Sequence, residues 1–436
     1  MSVRIVHLSD THLGASPRDG VRSNAWAEDN RVRLIENDFY ERFREVFAEI
    51  ARIDPPPDLV IHSGDLYDSP YDKNPFPPPT VAETVAVQVI RSFTEETGIP
   101  VLIIDGNHGI YRSLDVSMLE VLQASIPQLR VATRLQLKDA LRNDRPLKFE
   151  YEHLDVFCFP FMELSVLKSA DMLNQLRDWI TSCQAPRGNR ISVAVAHGMK
   201  IDETLFDEIF SMGYDYIALG HDHIQHQHSD RAWYAGSTER WRFDEASHQK
   251  GFLIVDLEKG KTPVVTPHHL RFARPVLNAR LRIEPDDTIE SVRQRVIEWL
   301  DKSVPRSGKD PSVSARIRLV LSGTSPLVDP SELNSMLASL RVNLFGDSSE
   351  FNVCQFVWSV ESVETEHVAH AYPEIISEYL IEDPASEFSQ YLESLKLEPG
   401  FDSRLLTRIA VKALERAVQS HAQKLVLEDL LEDDGS

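Results

Sequence analysis

Five times between residues 3 and 223 a continuous run of apolar and β-branched residues stops at a small cluster of Asp, Asn and His. The runs are VRIVHLSDTH (3–12), DLVIHSGDLYD (58–68), VLIIDGNH (101–108), ISVAVAHG (191–198) and YIALGHDH (216–223). An alternating run would mark a strand with one wet face; an unbroken one marks a strand covered on both faces. Helical patterns lie between the runs. Residues 37–53 place Phe39, Phe43, Val46, Phe47 and Ile50 at helical spacing, and after Thr80, read as an N-cap, Val81, Val85, Val89 and Phe93 recur four apart. Strand and helix in alternation predict an α/β layered fold, whose ligands gather at the carboxyl ends of the strands. All five polar clusters fall there.

Near residue 270 the pattern changes. RPVLNARLRI, TIESVRQRVIEWLDK, SARIRLVLSG, SELNSMLASL and FNVCQFVWSV read as strand, helix, strand, helix, strand, an α+β module with a polar connector SVPRSGKDPS inside it. The remainder is helical: from a cap at Asp402 or Ser403, residues Leu406, Ile409, Ala410, Ala413, Leu414, Ala417 and Val418 form one stripe. The expected domains are therefore 1–270, 271–365 and a helical segment 366–436. The stretch SPYDKNPFPPP (69–79) reads as a Pro-rich surface excursion. His7 and Asp10 break the first apolar run too early for a secretory signal, and no run reaches membrane-spanning length, so a soluble, cytoplasmic protein is expected. Cys158, Cys183 and Cys354 have no paired spacing, which argues against a disulfide framework or a zinc ribbon. A formal charge of −22 argues against a free-standing basic clamp on nucleic acid. If the chain acts on DNA, metal ions, local arginines or a partner must supply positive charge.

The strand-end residues, in order, are Asp10, His12, Asp65, Asp68, Asn107, His108, His197, His221 and His223. Imidazole, carboxylate and amide donors without thiolate suit manganese, iron or zinc, and favour manganese where oxygen donors are prominent. Asp-x-His and His-x-His each put two side chains on the same side of an extended strand end, so each pair can grip an ion from one face. A carboxylate such as Asp65 can bridge two ions about 3.5–4 Å apart, the spacing that clamps both oxygens of a phosphoester displacement. One SGD or GNH alone is more often a turn. Five in this order, each ending an apolar run, point to a metal site.

The order D-x-H, GD-x-x-D, GNH, H and GH-x-H resembles the calcineurin-like metallophosphoesterases. That resemblance implies a four-layer αββα sandwich holding two metals that hydrolyse phosphoesters. VRIVHLSDTHLG, ENDFYERFREVF, DLVIHSGDLYDS, HGMKID, GYDYIALGHDH and YAGSTERWRFDEASHQKGFLIVDL are similar to the SbcD branch, the bacterial counterpart of the meiotic-recombination-eleven nuclease of double-strand-break repair. The likeness covers residues 1 to about 260, and the 271–362 module is similar in element order to that branch's DNA-capping domain. It implies one Mn2+ on Asp10, His12, Asp65 and His223 and a second on Asp65, Asn107, His197 and His221, with Mg2+, Fe2+ or Zn2+ as alternatives. It implies His108 as the group that stabilises the transition state or protonates the leaving oxygen. Arg240 and Arg242, after YAGS, become candidate phosphate contacts, whereas His226 and His228 are expected to be exposed.

The same resemblance implies a DNA exonuclease and single-strand endonuclease, a homodimer, and an SMC-like ABC ATPase partner of the SbcC type, for which 402–425 is the candidate docking stretch. One residue departs from the pattern. Where the superfamily usually has Asp or Glu after GNH, to orient the histidine, this chain has Gly109. Asp68 and Asp105 are the candidate substitutes, and a slower enzyme is expected. Two other readings stay open: a phosphodiesterase or phosphatase acting on a small nucleotide, and a catalytically weakened scaffold that binds DNA ends or an ATPase.

Overall fold

From the strand Ser2–Leu8, Val3 and Ile5 turn to one side and Val6 and Leu8 to the other, and both sets are buried. The unbroken apolar run therefore belongs to a strand packed on both faces. The computed structural model describes residues 2–16, 20–22, 33–68, 77–108, 110–111, 116–161, 170–186, 188–198, 207–271, 274–306, 313–346 and 348–361. Gly109, most of the Pro-rich stretch, and the C-terminal segment with its 402–425 stripe lie outside them. The chain divides into two compact units, Met1–Ser362 and Val363–Ser436.

The first sheet has six strands, in the order Val264–His269, Gly251–Glu258, Ser2–Leu8, Leu59–His62, Val101–Ile104 and Leu129–Ala132. The last four run parallel, and the first two pair antiparallel at one edge. The second sheet runs His226–Ser229, Ala232–Tyr234, Tyr216–Gly220, Ile191–His197, Leu154–Phe159 and Lys148–Glu150, again with parallel strands at its centre. Three apolar clusters separate the layers. Val6, Val60, Val101 and Ile103 pack on Phe43, Phe47, Val85, Ile90 and Phe93 of the helices Leu34–Ile50 and Thr80–Thr97. Ile5, Ile61, Leu102 and Ile104 meet Val156, Val193, Val195 and Ala218 of the second sheet. Phe157, Ala194 and Leu219 face Leu176, Trp179, Ile180 and Ile209 on the far side. Each large aliphatic side chain so buried contributes about 1.5–3 kcal/mol.

The helices expected over 37–53 and 80–97 form, with one correction. Thr80 is the first helical residue and Pro79 the N-cap, with no side-chain cap; the backbone carbonyl of Thr80 accepts from Thr84 Oγ1 at 2.7 Å. The buried stripe is Ala82, Val85, Ala86, Ile90 and Phe93, so Val81 is exposed. Gly98, at φ +72°, ends this helix in the left-handed conformation with its N–H on the Thr94 carbonyl.

The 271–365 stretch builds a third, all-parallel sheet, Val276–Arg282, Ala315–Ser322 and Val353–Glu361, with helices Ile289–Ser303 and Pro330–Phe345. Ile317, Leu319 and Leu321 join Val292, Val296, Leu333 and Leu337 in its core. All three cysteines are buried and free. Among the described residues no helix is long and apolar enough to cross a membrane.

Candidate metal centre

Five of the parallel strands, Ser2–Leu8, Leu59–His62, Val101–Ile104, Ile191–His197 and Tyr216–Gly220, deliver their carboxyl ends to one place. The loops after the first two are stitched by backbone bonds from Asp10 N–H to Gly64 O, His12 N–H to Asp65 O and Leu13 N–H to Leu66 O. Asp10, His12, Asp65 and His221 have φ of +52°, +43°, +55° and +89°, and Asp144 is the one other non-glycine residue with positive φ among those described. Such backbone costs about 1–3 kcal/mol per residue and persists where the surroundings dictate it. The glycines in these motifs answer to a different need, close approach. A Cβ on Gly106 would stand 2.0 Å from Asp65 Oδ1, and one on Gly220 would stand 2.1 Å from the Ser63 carbonyl.

Two ligand groups form around Asp65. In one, His12 Nε2 and His223 Nε2 are 3.1 Å apart, with Asp10 Oδ1 at 3.9 and 3.8 Å from them. In the other, Asn107 Oδ1 lies 3.0 Å from His197 Nε2 and 2.9 Å from His221 Nδ1. Asp65 Oδ2 reaches both, 3.2 Å from His197 Nε2 and 3.9 Å from His12 Nε2. Its other oxygen accepts the backbone N–H of His108 at 2.8 Å. All but His221, His223 and Asn107 are almost fully buried.

The hydrogen-bond roles show that these residues suit cations. His197 Nδ1 donates to the Ser63 carbonyl at 2.8 Å, and His223 Nδ1 donates to Glu245 Oε1 at 3.0 Å. His12 Nδ1 faces Asp68 Oδ1 at 3.3 Å. With those protons placed, each neutral imidazole turns the lone pair of Nε2 inward, where it meets another lone pair or an acceptor oxygen. Among the described residues, buried Asp10 Oδ1 has no hydrogen-bond donor. Converging acceptors with no proton between them are stable only around positive charge. Histidine ligands that donate their second N–H to a carboxylate or carbonyl are the usual arrangement around a bound metal.

The electrostatics agree. Burial opposes charge on His197, yet Asp65 and Asp10 outweigh it and push its pKa up to about 9, so without a metal this imidazole takes up a proton and supplies the positive charge that an ion would otherwise bring. Burial would raise Asp65, but His197, His108 and His12 hold it far below the usual carboxylate range. Burial and then His197 push His221 down to about 4, leaving a neutral imidazole.

His108 is buried beside this centre, and Asp68 Oδ1 lies 3.3 Å from its Nδ1, the same distance as from His12. Against burial, Asp65 and Asp68 raise its pKa. Asp105, the other candidate support, is turned away: its oxygens accept from Ser117 Oγ at 2.5 Å and from the Arg134 backbone N–H at 2.8 Å. Burial raises Asp105 to about 6. Arg240 is half-buried and Arg242 exposed, its guanidinium 5.2 Å over the Trp241 ring. His226 is half-buried and stacked on Tyr234, while His228 is exposed and stacked on Phe210.

Four participants escaped the sequence reading. Glu245 orients His223 and is gripped at 2.5 Å by Lys250, a fully buried ammonium that also donates to Ser237 Oγ at 2.7 Å and to the His223 carbonyl at 2.8 Å. Trp241 stacks on His12 with ring centroids 4.6 Å apart and stands 5.5 Å from His108 and His223. Arg316, buried in the third sheet, donates to the carbonyls of Arg240 at 2.7 Å and Trp241 at 3.0 Å and to Gln355 Oε1 at 2.9 Å. The third sheet thus holds the loop that carries Trp241.

With that geometry in place, likeness to other proteins becomes informative. Residues 3–225 match the family described as calcineurin-like phosphoesterase. The chain is 37% identical over 111 residues to the DNA double-strand break repair protein Mre11 of Methanococcus maripaludis, a match covering 26% of this chain and 24% of that protein. It is 28% identical over 274 residues to the Mre11 of Aeropyrum pernix, covering 60% of this chain and 59% of the relative. The matched region is less than two thirds of either relative.

Proposed function

Because the chain belongs to the calcineurin-like phosphoesterase family, we propose that it is a two-metal DNA phosphodiesterase, an exonuclease and single-strand endonuclease of the SbcD type. Its sandwich is the four-layer αββα form, residues 271–365 are its cap, and 366–436 dock an SMC-like ABC ATPase in a homodimeric assembly. The observation that carries the reading is the pair of inward-facing ligand groups sharing Asp65.

In this reading Asp10, His12, Asp65 and His223 hold one ion and Asp65, Asn107, His197 and His221 the other, with manganese the best match to so many oxygen and imidazole donors. When bound, the pair supplies Lewis acidity on both sides of the phosphorus and an activated nucleophile. The chain's own residues do the rest. Ser63, Glu245 and Asp68 fix the tautomers of His197, His223 and His12. His108, whose pKa is raised by Asp65 and Asp68 against burial, is the group placed to donate a proton to the departing oxygen. Asp68 fills the role left by the glycine at 109, which supports an active enzyme over a scaffold. DNA is favoured as substrate by the relatives' names and by a cap larger than a small nucleotide requires.

The test is Mn2+-dependent degradation of linear and single-stranded DNA by the purified full chain, with His197→Ala as the control for contaminating nuclease. Normal Mn2+ binding without DNA cleavage would overturn the nuclease reading. Rapid turnover of a cyclic nucleotide alongside that failure would establish the small-substrate enzyme instead. Co-purification of a coiled-coil ATPase, lost on deleting 402–436, tests the partner; an undiminished yield would remove that segment from the contact.

A further inference from the structure

Along the strand Ala315–Ser322 the residues alternate, with Ile317 and Leu319 in the helix-covered core and Arg316 and Arg318 on the opposite face. That face borders a cavity of about 680 Å3 whose walls include Trp241, Arg242, Arg316, Arg318, Arg341 and Trp358. Among the described residues, Asp244 is the one acidic residue in its lining. Four arginines against one aspartate is a marked local inversion in a chain with 68 acidic and 46 basic residues. Arg316 is spent on the loop described above. Arg242, Arg318 and Arg341 make no ion pair among the described residues, whereas Arg4, Arg190, Arg274 and Arg295 each hold a carboxylate. Leaving three guanidinium groups uncompensated around one cavity disfavours the folded chain by mutual repulsion, so the arrangement suits an anionic ligand.

The aromatic side chains narrow its chemistry. Arg341 lies 5.0 Å over Trp358 and Arg242 lies 5.2 Å over Trp241, so the cationic planes rest on indoles and offer flat surfaces as well as charge. A volume of this size exceeds what a lone phosphate needs and is in the range of small-ligand sites. Positive charge tracking a backbone, interleaved with aromatic rings on which bases stack, is how unpaired nucleic acid is held without sequence preference. Trp241 both lines the cavity and stacks on His12.

We propose that this cavity is a subsite for one unpaired polynucleotide strand, its phosphates on Arg242, Arg318 and Arg341 and a base against the aromatic surface, holding the strand beside the metal centre. The assignment rests on the reading of DNA as substrate. It predicts that single strands depend on the cavity more than duplexes do.

The full chain, with Arg318→Ala, Arg341→Ala and the double variant, is titrated with fluorescein-labelled oligo(dT) and with a duplex of equal length, across a salt series. Two lost phosphate contacts lower the slope of log K against log salt by about 1.4 for single strands. The double variant is expected to bind oligo(dT) about 10–100-fold more weakly at 0.1 M salt, with a smaller loss on the duplex. The Mn2+-induced rise in Tm, retained in the variants, shows that fold and metal centre are intact. If the wild type binds or cuts DNA and the double variant binds oligo(dT) equally well, the subsite is wrong and the nuclease reading stands. Equal losses on single strand and duplex would overturn the strand preference and with it the subsite as described. A wild type that neither binds nor cuts DNA overturns both.

Discussion

Asp68 touches two histidines with different duties, and replacing it by asparagine separates them. Asp68→Asn keeps the shape and removes the charge that sits 3.3 Å from His12 Nδ1 and from His108 Nδ1. A hydrogen bond to a charged group contributes about 1.5–3 kcal/mol, and losing a carboxylate behind a functional histidine costs about 10–100-fold, equivalent to roughly 1.4–2.7 kcal/mol. On DNA, whose departing alkoxide needs a proton, kcat should therefore fall about 10–100-fold. On bis(p-nitrophenyl) phosphate, whose leaving group departs as a stable anion, the acid matters little. There the loss should be about 3-fold or less at saturating Mn2+, reflecting His12 alone. The assay is the pair of kcat values for wild type and variant, with Mn2+ held well above its dissociation constant. Equal losses on the two substrates would mean that Asp68 works only through the metal ligand, and the general-acid role of His108 would have to be abandoned. A change under about 2-fold on DNA would remove Asp68 from the reaction altogether.

Three further outcomes follow from the geometry. Burial, with Asp38 adding to it, raises buried Glu239 from 4.5 to about 7. The folded state thus holds a proton that the unfolded state releases, and stability falls as pH rises from about 4.5 to about 7. Glu239→Gln should therefore be more stable than wild type at pH 8, by on the order of 2–3 kcal/mol, and equal at pH 4, as read by denaturant unfolding; equal stability at both pH values would refute this. Gly106→Ala drives a Cβ to 2.0 Å from Asp65 Oδ1, so Mn2+ affinity by calorimetry should drop at least about 10-fold while the circular dichroism spectrum is retained. Titrating the chelated protein with Mn2+ should raise Tm, with about 2.7 kcal/mol gained at 100 times the dissociation constant, and a Tm indifferent to Mn2+ would count against the two ligand groups as metal sites.

The parts of the centre that were readable in advance share one property: each lies directly after a run of buried strand. Asp10, Asp65, Asn107, His197 and His221 follow apolar residues that admit little but a two-faced strand, so chain order alone carries them to one edge of the sheets. Asp68 and Asp105 show where that logic ends. Both lie just past a strand, but Asp105 serves Ser117 and the Arg134 N–H while Asp68 curls back on the histidines, and only the loop path decides between them. Trp241, Glu245 and Lys250 come from an irregular stretch without periodicity. Arg316 sits on a strand more than 70 residues from the carbonyls it binds, where an alternating Arg is indistinguishable from a solvated one. The Thr80 cap failed because the helix begins one residue earlier, with the Pro79 carbonyl already accepting the Ala82 N–H at 2.8 Å.

The left-handed residues of the centre also bear on whether the protein still performs chemistry. Asp10, His12, Asp65 and His221 each hold a backbone conformation that glycine would adopt with less strain, so four separate single substitutions could relax it. A lineage that kept only the outer surfaces, to bind a partner or a DNA end, would gain stability from any of them and lose nothing it used. This chain has taken none of the four. Its one glycine in place of an expected side chain comes at position 109, beside a histidine that already has Asp68 within reach. The simplification has fallen where a substitute carboxylate is at hand, which favours the proposed enzyme over a scaffold.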